Sequence, residues 1–399
     1  MSAIAIVGIG TLLSGDMESP VIEDVDAIVG DGPTITHIGR QSEIQEFISS
    51  ADIVIDAQGS TVAPGLIDSH CHVVLGDYTP RQKTVGFLES YVHGGITSII
   101  SPGEIHAQGR PHTSVGVKAL AIAAKTTFDN FHPGGMTAHA GAVVLEPTLT
   151  DADFAELEAA GVWLAKFGFG LYQDPSDGYD QVRWAQAHGV KVMCHSGGAS
   201  IPSSQPITPE HLMHLAPDVA GHINGGPTSL DAEGVDTIMD ESDMALQLVQ
   251  AGNLKSSIRI LQRAIDKGQF HRVVIGSDTP TGTGVMPLGV IKTVAELTSL
   301  AGVDPALMWA AATGNSTRVW GLDEGIIGVG RPMNVLVMDA PWGSTMPDAL
   351  GALSVGDIPG ISAVVARGEV QALLSRNTPR AARLATTSPD LSHLAGSGH

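Results

Sequence analysis

The feature that most constrains this chain is an alternation. Apolar runs that read as strands occur at "GLIDSHCH", "ITSIIS", "TAHAGAVVLE", "VWLAKFGFG", "VKVMCHS", "DVAGHIN", "DMALQLVQ" and "RVVIGSD". Stretches of helical periodicity separate them, for example "TDADFAELEAAG" and "GYDQVRWAQAHG". Eight strand candidates divided by helices over about 250 residues predict an α/β chain built on a (β/α)8 TIM barrel. The alternative, a doubly wound open sheet, is disfavoured by eight repeats and by the lack of a "GxGxxG" turn after the first strand.

The flanks read differently. Short strands split by Gly and Asp turns fill the first 60 residues, and the same character returns in "GVGRPMNVLVMDAP" and "ISAVVARGEVQAL". The expectation is a small β-sandwich domain formed by both chain ends, residues 1–62 and 325–380. The barrel then covers 63–324, and 381–399 is a tail.

Placed on that frame, the ligand-type residues fall at strand ends. From His72 to Lys166 is 94 residues, then 29 to His195, 27 to His222 and 56 to Asp278. One βα unit takes roughly 30 residues, so these steps put His70 and His72 on strand 1 and Lys166 on strand 4. His195 falls on strand 5, His222 on strand 6 and Asp278 on strand 8. In this fold the C-terminal strand ends carry the chemistry. His70 and His72 are two apart, and residues two apart on a strand share a face, here the inner one. Cys71 and Cys194 then point outward as packed core.

Four imidazoles and a carboxylate suit zinc first, with iron, manganese or cobalt as alternatives, rather than calcium or magnesium. Such ions lower the pKa of a bound water toward neutrality. Lys166 sits among apolar neighbours, and burial lowers a lysine's pKa. A neutral amine adds carbon dioxide, and the resulting carboxylated Lys166 can bridge two metals. Any single buried histidine is as easily a core residue. The set as a whole is not.

Acidic residues number 42 against 21 basic, a net charge of −21, which repels nucleic acid and anionic membrane. Two cysteines imply no disulfide framework and fit a reducing cytoplasm, and no apolar run approaches the roughly 18 residues of a spanning helix. Around the predicted mouth, Tyr78, Arg81 and Lys83 follow strand 1, His106 and Arg110 follow strand 2, and Asn224 follows His222. Arg81 or Arg110 is suited to gripping a substrate carboxylate in a bidentate pair. His139, inside strand 3, either faces the mouth or fills the core.

"APGLIDSHCH" resembles the strand-1 signature of the amidohydrolase superfamily. "MCHSGG", "GHINGG", "GSDTPTG" and the later "TGNSTRVWGL" resemble its other characteristic segments. "GDYTPRQKT", "HAQGRP", "MDESDMALQLVQAGN", "PLGVIKTVAEL" and "VGDIPGIS" resemble a branch that opens cyclic amides. The resemblance implies two divalent transition metals, one on His70, His72 and Asp278 and the other on His195 and His222, with Lys166 between. It implies Asp278 as general base and acid, a small-molecule substrate and a homo-oligomer, a tetramer. That branch carries a glutamate as its strand-4 bridge where this chain matches Lys166, so the pair is expected to be bridged differently here. Rival readings are hydrolysis of an acyclic N-acyl amide, a mononuclear-metal deaminase of a nucleobase-like ring, and a non-enzymatic scaffold of the same fold.

Overall fold

Period-two alternation decides the layers of this molecule, which a computed structural model describes at residues 2–73, 86–103, 110–201, 204–226, 228–280 and 284–394. Among the described residues the N-terminal part supplies β1 (Ala3–Val7), β2 (Thr11–Leu13), β3 (Val21–Ile22), β4 (Ala27–Asp31), β5 (Thr34–Gly39), β6 (Ile53–Asp56) and β7 (Thr61–Pro64). The middle supplies β8 (Leu66–Asp68), β9 (Ile96–Ile100), β10 (Thr137–His139), β11 (Val143–Val144), β12 (Leu164–Phe167), β13 (Lys191–His195), β14 (Val219–Gly221), β15 (Ala245–Val249) and β16 (Val273–Gly276). After them come β17 (Val335–Asp339), β18 (Gly360–Ala366), β19 (Glu369–Leu373) and β20 (Thr386–Ser388).

Two sheets draw on both chain ends. One has the order β20-β6-β1-β4-β5 and the other β19-β18-β17-β7-β2-β3. Alternate residues of the second sheet face opposite ways. Val335 and Val337 of β17 join Ile4 and Ile6 of β1 in one apolar cluster, while Leu336 and Met338 join the large core of the chain's middle. Leu12 and Leu13 divide in the same way, as do Val62 and Ala63. The strand β7 runs to Pro64, two residues past the expected boundary at 62. The expected tail from 381 needs a larger correction. Thr386–Ser388 pairs antiparallel with β6, and Arg383 grips the buried Asp339 through Nε at 2.7 Å and Nη2 at 2.6 Å.

The middle strands are all parallel, in the orders β10-β9-β8 and β11-β12-β13-β14-β15-β16. "TAHAGAVVLE", expected as one strand, is two. β10 pairs with β9 and β11 with β12, and the chain bends at Gly141 between them. Gly141 has φ 90°, and a Cβ there would come within 2.5 Å of the Ala121 carbonyl, so glycine is required. At the other edge β16 meets β8. Ser69 N donates to Ile275 O at 3.1 Å, Asp278 N donates to His70 O at 2.7 Å, and Cys71 bridges Thr279 in parallel.

Helices cover the outer faces. Asn253 caps Leu254–Asp266 by accepting from Ser256 N at 3.1 Å, and that helix buries Ile260, Leu261 and Ala264. Among the described residues no helix is long and apolar enough to cross a membrane.

Candidate metal centre and active site

The inward-facing residues of the parallel strands form two levels. The lower level is apolar: Ile67, Ile100, Ala142, Leu164, Met193, Val219 and Ala245, sealed by Trp320. Two residues further along the same strands, and hence on the same face, come Lys166 above Leu164, His195 above Met193 and Gln247 above Ala245. Residues between them face outward. Cys71, Ala165, Cys194, Leu246 and Leu248 belong to the core under the helices, as expected for the two cysteines.

On this polar level five of the six sequence-predicted ligands stand in two neighbouring groups, with Lys166 on β12, the strand beside that of His195. His72 Nε2 lies 3.0 Å from Asp278 Oδ1 and His70 Nε2 lies 3.3 Å from the same oxygen. One nitrogen or oxygen from each of His70, His72 and Asp278 falls within 4.8 Å of the others, a spacing fit to hold a metal ion. Beside them His195 Nδ1 faces His222 Nε2 at 3.0 Å, and the His70 and His222 rings are 5.5 Å apart. His195 Nε2 donates to the Gly198 carbonyl at 2.7 Å, which fixes the tautomer and leaves Nδ1 bare toward the site.

Lys166 is 1% exposed. Its Nζ contacts Met193 Sδ at 3.5 Å and lies 5.9 Å from the centre of the Phe169 ring. Burial pushes the amine down to about 8, opposed by the charge of Asp278. Burial likewise holds His70 well below the usual imidazole range, and the Lys166 charge adds to it. His222 is lowered by burial and then by His195 and Lys166, and His195 is pushed down to about 4, chiefly by burial. Neutral imidazoles with bare nitrogens are the form that binds a cation, so the donor set fits a metal.

Backbone strain marks the same residues. His222 has φ 37° and Asp278 has φ 57°. This left-handed region costs a non-glycine residue roughly 1–2 kcal/mol. The turn at Asp278 is held by Ser277 N, which donates to Asp68 Oδ1 at 2.8 Å, and by the Ser277 and Thr279 hydroxyls at 2.8 Å.

The substrate contacts expected from sequence fare differently. Tyr78, Arg81, Lys83 and His106 lie outside the described residues. Arg110 is buried, not poised at the mouth. Its Nη1 lies 2.8 Å from Glu146 Oε1, and its Nη2 donates to the Phe169 carbonyl. Asn224 is fully buried as well. Its Nδ2 donates to Val249 O and Ser257 Oγ, and its Oδ1 accepts from Val249 N, so the amide is used up inside the fold. His139 pairs with Glu324 at 3.3 Å and sets its ring edge against Trp163.

Sequence reading missed two residues. Glu146, 0% exposed, follows β11 and gathers Arg110, His112 (2.8 Å) and Leu171 N (2.9 Å) from two different loops. Gln247, also 0% exposed, reaches His70 and the backbone of His222. The available signal for each was a single polar side chain in an otherwise apolar run, "AVVLE" and "ALQLV".

No family model matches the chain. Among solved structures, that of enamidase, a member of the amidohydrolase superfamily, superposes with a TM-score of 0.91 at 45% identity, covering 97% of this chain and 100% of that one. That match places the fold in the class of amidohydrolases. Enamidase from Eubacterium barkeri is 46% identical over 386 residues, 96% of this chain and 99% of that protein. The chain therefore belongs to the enamidase family of the amidohydrolase superfamily. Imidazolonepropionase from Streptomyces griseus is a more distant relative, 24% identical over 381 residues, 86% of this chain and 94% of that protein.

Proposed function

We propose that this chain hydrolyses a C–N bond in a cyclic amide of the enamide type, with divalent metal ions held at the mouth of a closed (β/α)8 barrel beside a β-sandwich domain. The observation that carries the reading is the convergence of His70, His72 and Asp278 within 4.8 Å in a chain 46% identical to enamidase. His70, His72 and Asp278 would hold one ion, and His195 and His222 a second. Bound there, the ions supply Lewis acidity toward the amide carbonyl and a water acidic enough to ionise near neutral pH.

The chain's own groups do the rest. Asp278 Oδ1, on a side chain 22% exposed, takes the attacking water's proton and returns it to the leaving ring nitrogen. The strained turn at Asp278 aims that oxygen at the histidine nitrogens. His70, His195 and His222, held neutral by burial, do not compete with it for the proton.

Lys166 completes the set as a carbamate. Among the described residues no carboxylate pairs with its Nζ within 4.0 Å, and burial keeps part of the amine neutral near pH 8. The neutral amine adds carbon dioxide, forming an N–C bond and releasing one proton, and the buried cation becomes an anion suited to bridging two metals. Intact mass and metal content under carbon-dioxide-equilibrated conditions test this. We expect two metals per chain, a mass gain of one carbon dioxide that Lys166→Ala abolishes, and turnover of a cyclic enamide. One metal and no adduct, with activity on amino-substituted rings instead, would overturn it in favour of a deaminase.

A further inference from the structure

Strand β15 contributes no titratable side chain to the metal centre, yet its inward residue touches both halves of it. Gln247 sits between Leu246 and Leu248, which face the helices. Its side chain crosses the interior to strand β8. Its Oε1 accepts from His70 Nδ1 at 2.5 Å and from the backbone N–H of His222 at 3.2 Å. Its Nε2 donates to Ser69 O at 2.8 Å and to Ser69 Oγ at 3.0 Å.

A primary amide offers two donors and two lone pairs, and here all four are used. The amide can stand only one way round. Flipping it would set NH2 against the His222 N–H and the amide oxygen against the Ser69 carbonyl. Because Oε1 is an acceptor, His70 must carry its proton on Nδ1, which leaves Nε2 bare and aimed at Asp278. Gly276 on β16 lets His70 pack close against that strand. A Cβ there would come within 2.8 Å of the His70 Cβ.

We propose that Gln247 is the positioning residue of the metal centre. One amide fixes the tautomer and ring angle of His70 and the strained backbone of His222, and so sets the two halves of the site relative to each other. This rests on the metal reading above. A neutral acceptor behind a ligating imidazole orients it without adding charge, and loss of such a partner typically weakens metal binding about 10–100-fold.

The test titrates metal-free protein with Zn²⁺ against a competing chelator, and follows urea unfolding of the metal-free forms alongside. Gln247→Leu keeps the volume and removes every hydrogen bond. Gln247→Asn keeps the polarity and shortens the arm so that it no longer reaches His70. Both are expected to weaken Zn²⁺ binding about 10–100-fold at both equivalents together. Gln247→Glu, as the protonated acid that full burial favours, retains an oxygen acceptor for His70 and an O–H donor for the Ser69 carbonyl, and is expected to return affinity to within about threefold of wild type. A residue that served folding alone would lower the unfolding midpoint and leave Zn²⁺ affinity untouched. If Gln247→Leu does not fold, the Asn variant decides. Wild-type affinity in the Leu or Asn variant, or no recovery in the Glu variant, overturns the inference. A wild-type chain that takes up no Zn²⁺ overturns the metal reading itself and this inference with it.

Discussion

The two ends of the parallel strands are made of the same strands and differ by a step of two residues. Leu164 and Lys166, Met193 and His195, and Ala245 and Gln247 share one inward face. The first of each pair belongs to a dry apolar level, and the second to a level of polar groups. The lower level carries no chemistry. Its work is to exclude water from beneath the upper one, and that exclusion lowers His70, His195, His222 and Lys166. Exposure then rises toward the mouth, from 1% for the His70 side chain to 10% for His72 and 22% for Asp278. A reactive carboxylate that meets water thus stands on ligands that do not.

If this division of labour is right, changes at the two ends must fail in different ways. The largest effect is expected at the mouth. Asp278→Asn removes the proton acceptor and should lower kcat by about 10²–10⁴-fold. Stability should be kept or slightly raised, since Asn tolerates the left-handed backbone at φ 57° at least as well as Asp. Kinetics and urea unfolding of the metal-free protein check both halves. A loss of fold in this variant would break the comparison. At the floor, Leu164→Ala should cost roughly 2–5 kcal/mol of stability through the cavity it leaves. Its kcat at a temperature where it stays folded should remain within a few-fold of wild type. A metal or kcat defect as large as that of Asp278→Asn would show that the floor shapes the chemistry directly.

Much of this was legible in the sequence because strands advertise themselves by apolar runs, and ligands by their place at the ends of those runs. Strands lie in all eight predicted runs, one of them split in two as β10 and β11, and His70, His72 and Asp278 of the ligand candidates converge within 4.8 Å. What stayed illegible depends on partners remote in sequence. Arg110 reads as a free cation at the mouth until Glu146, 36 residues on, is found buried against it. Asn224 reads as a loop amide, but Val249 and Ser257 consume its hydrogen bonds. Gln247 reads as an accident inside "ALQLV" because its partners, Ser69 and His70, lie 178 and 177 positions away. The strand Thr386–Ser388 is three residues long with alternating exposure, too short to show a pattern against a loop.

The smallest expected effect also contrasts the two ends. His93 precedes β9 at the floor end, and there too the imidazole is held down, to about 4, first by burial and then by the Arg376 charge. Arg376 N donates to its Nδ1 at 3.4 Å, a bond that protonation would break. The unfolded chain protonates this group near 6.5, so between pH 6.5 and about 4 the unfolded state binds the extra proton. Stability attributable to His93 is therefore complete above pH 6.5, is lost as pH falls toward 4, and changes no further below that. His93→Gln should flatten this part of the stability profile while leaving Zn²⁺ affinity unchanged. At the mouth a neutral imidazole is held ready for a cation, whereas at the floor it serves packing alone. A His93→Gln variant whose acid sensitivity between pH 6.5 and 4 equals that of wild type would assign that sensitivity to the mouth histidines instead.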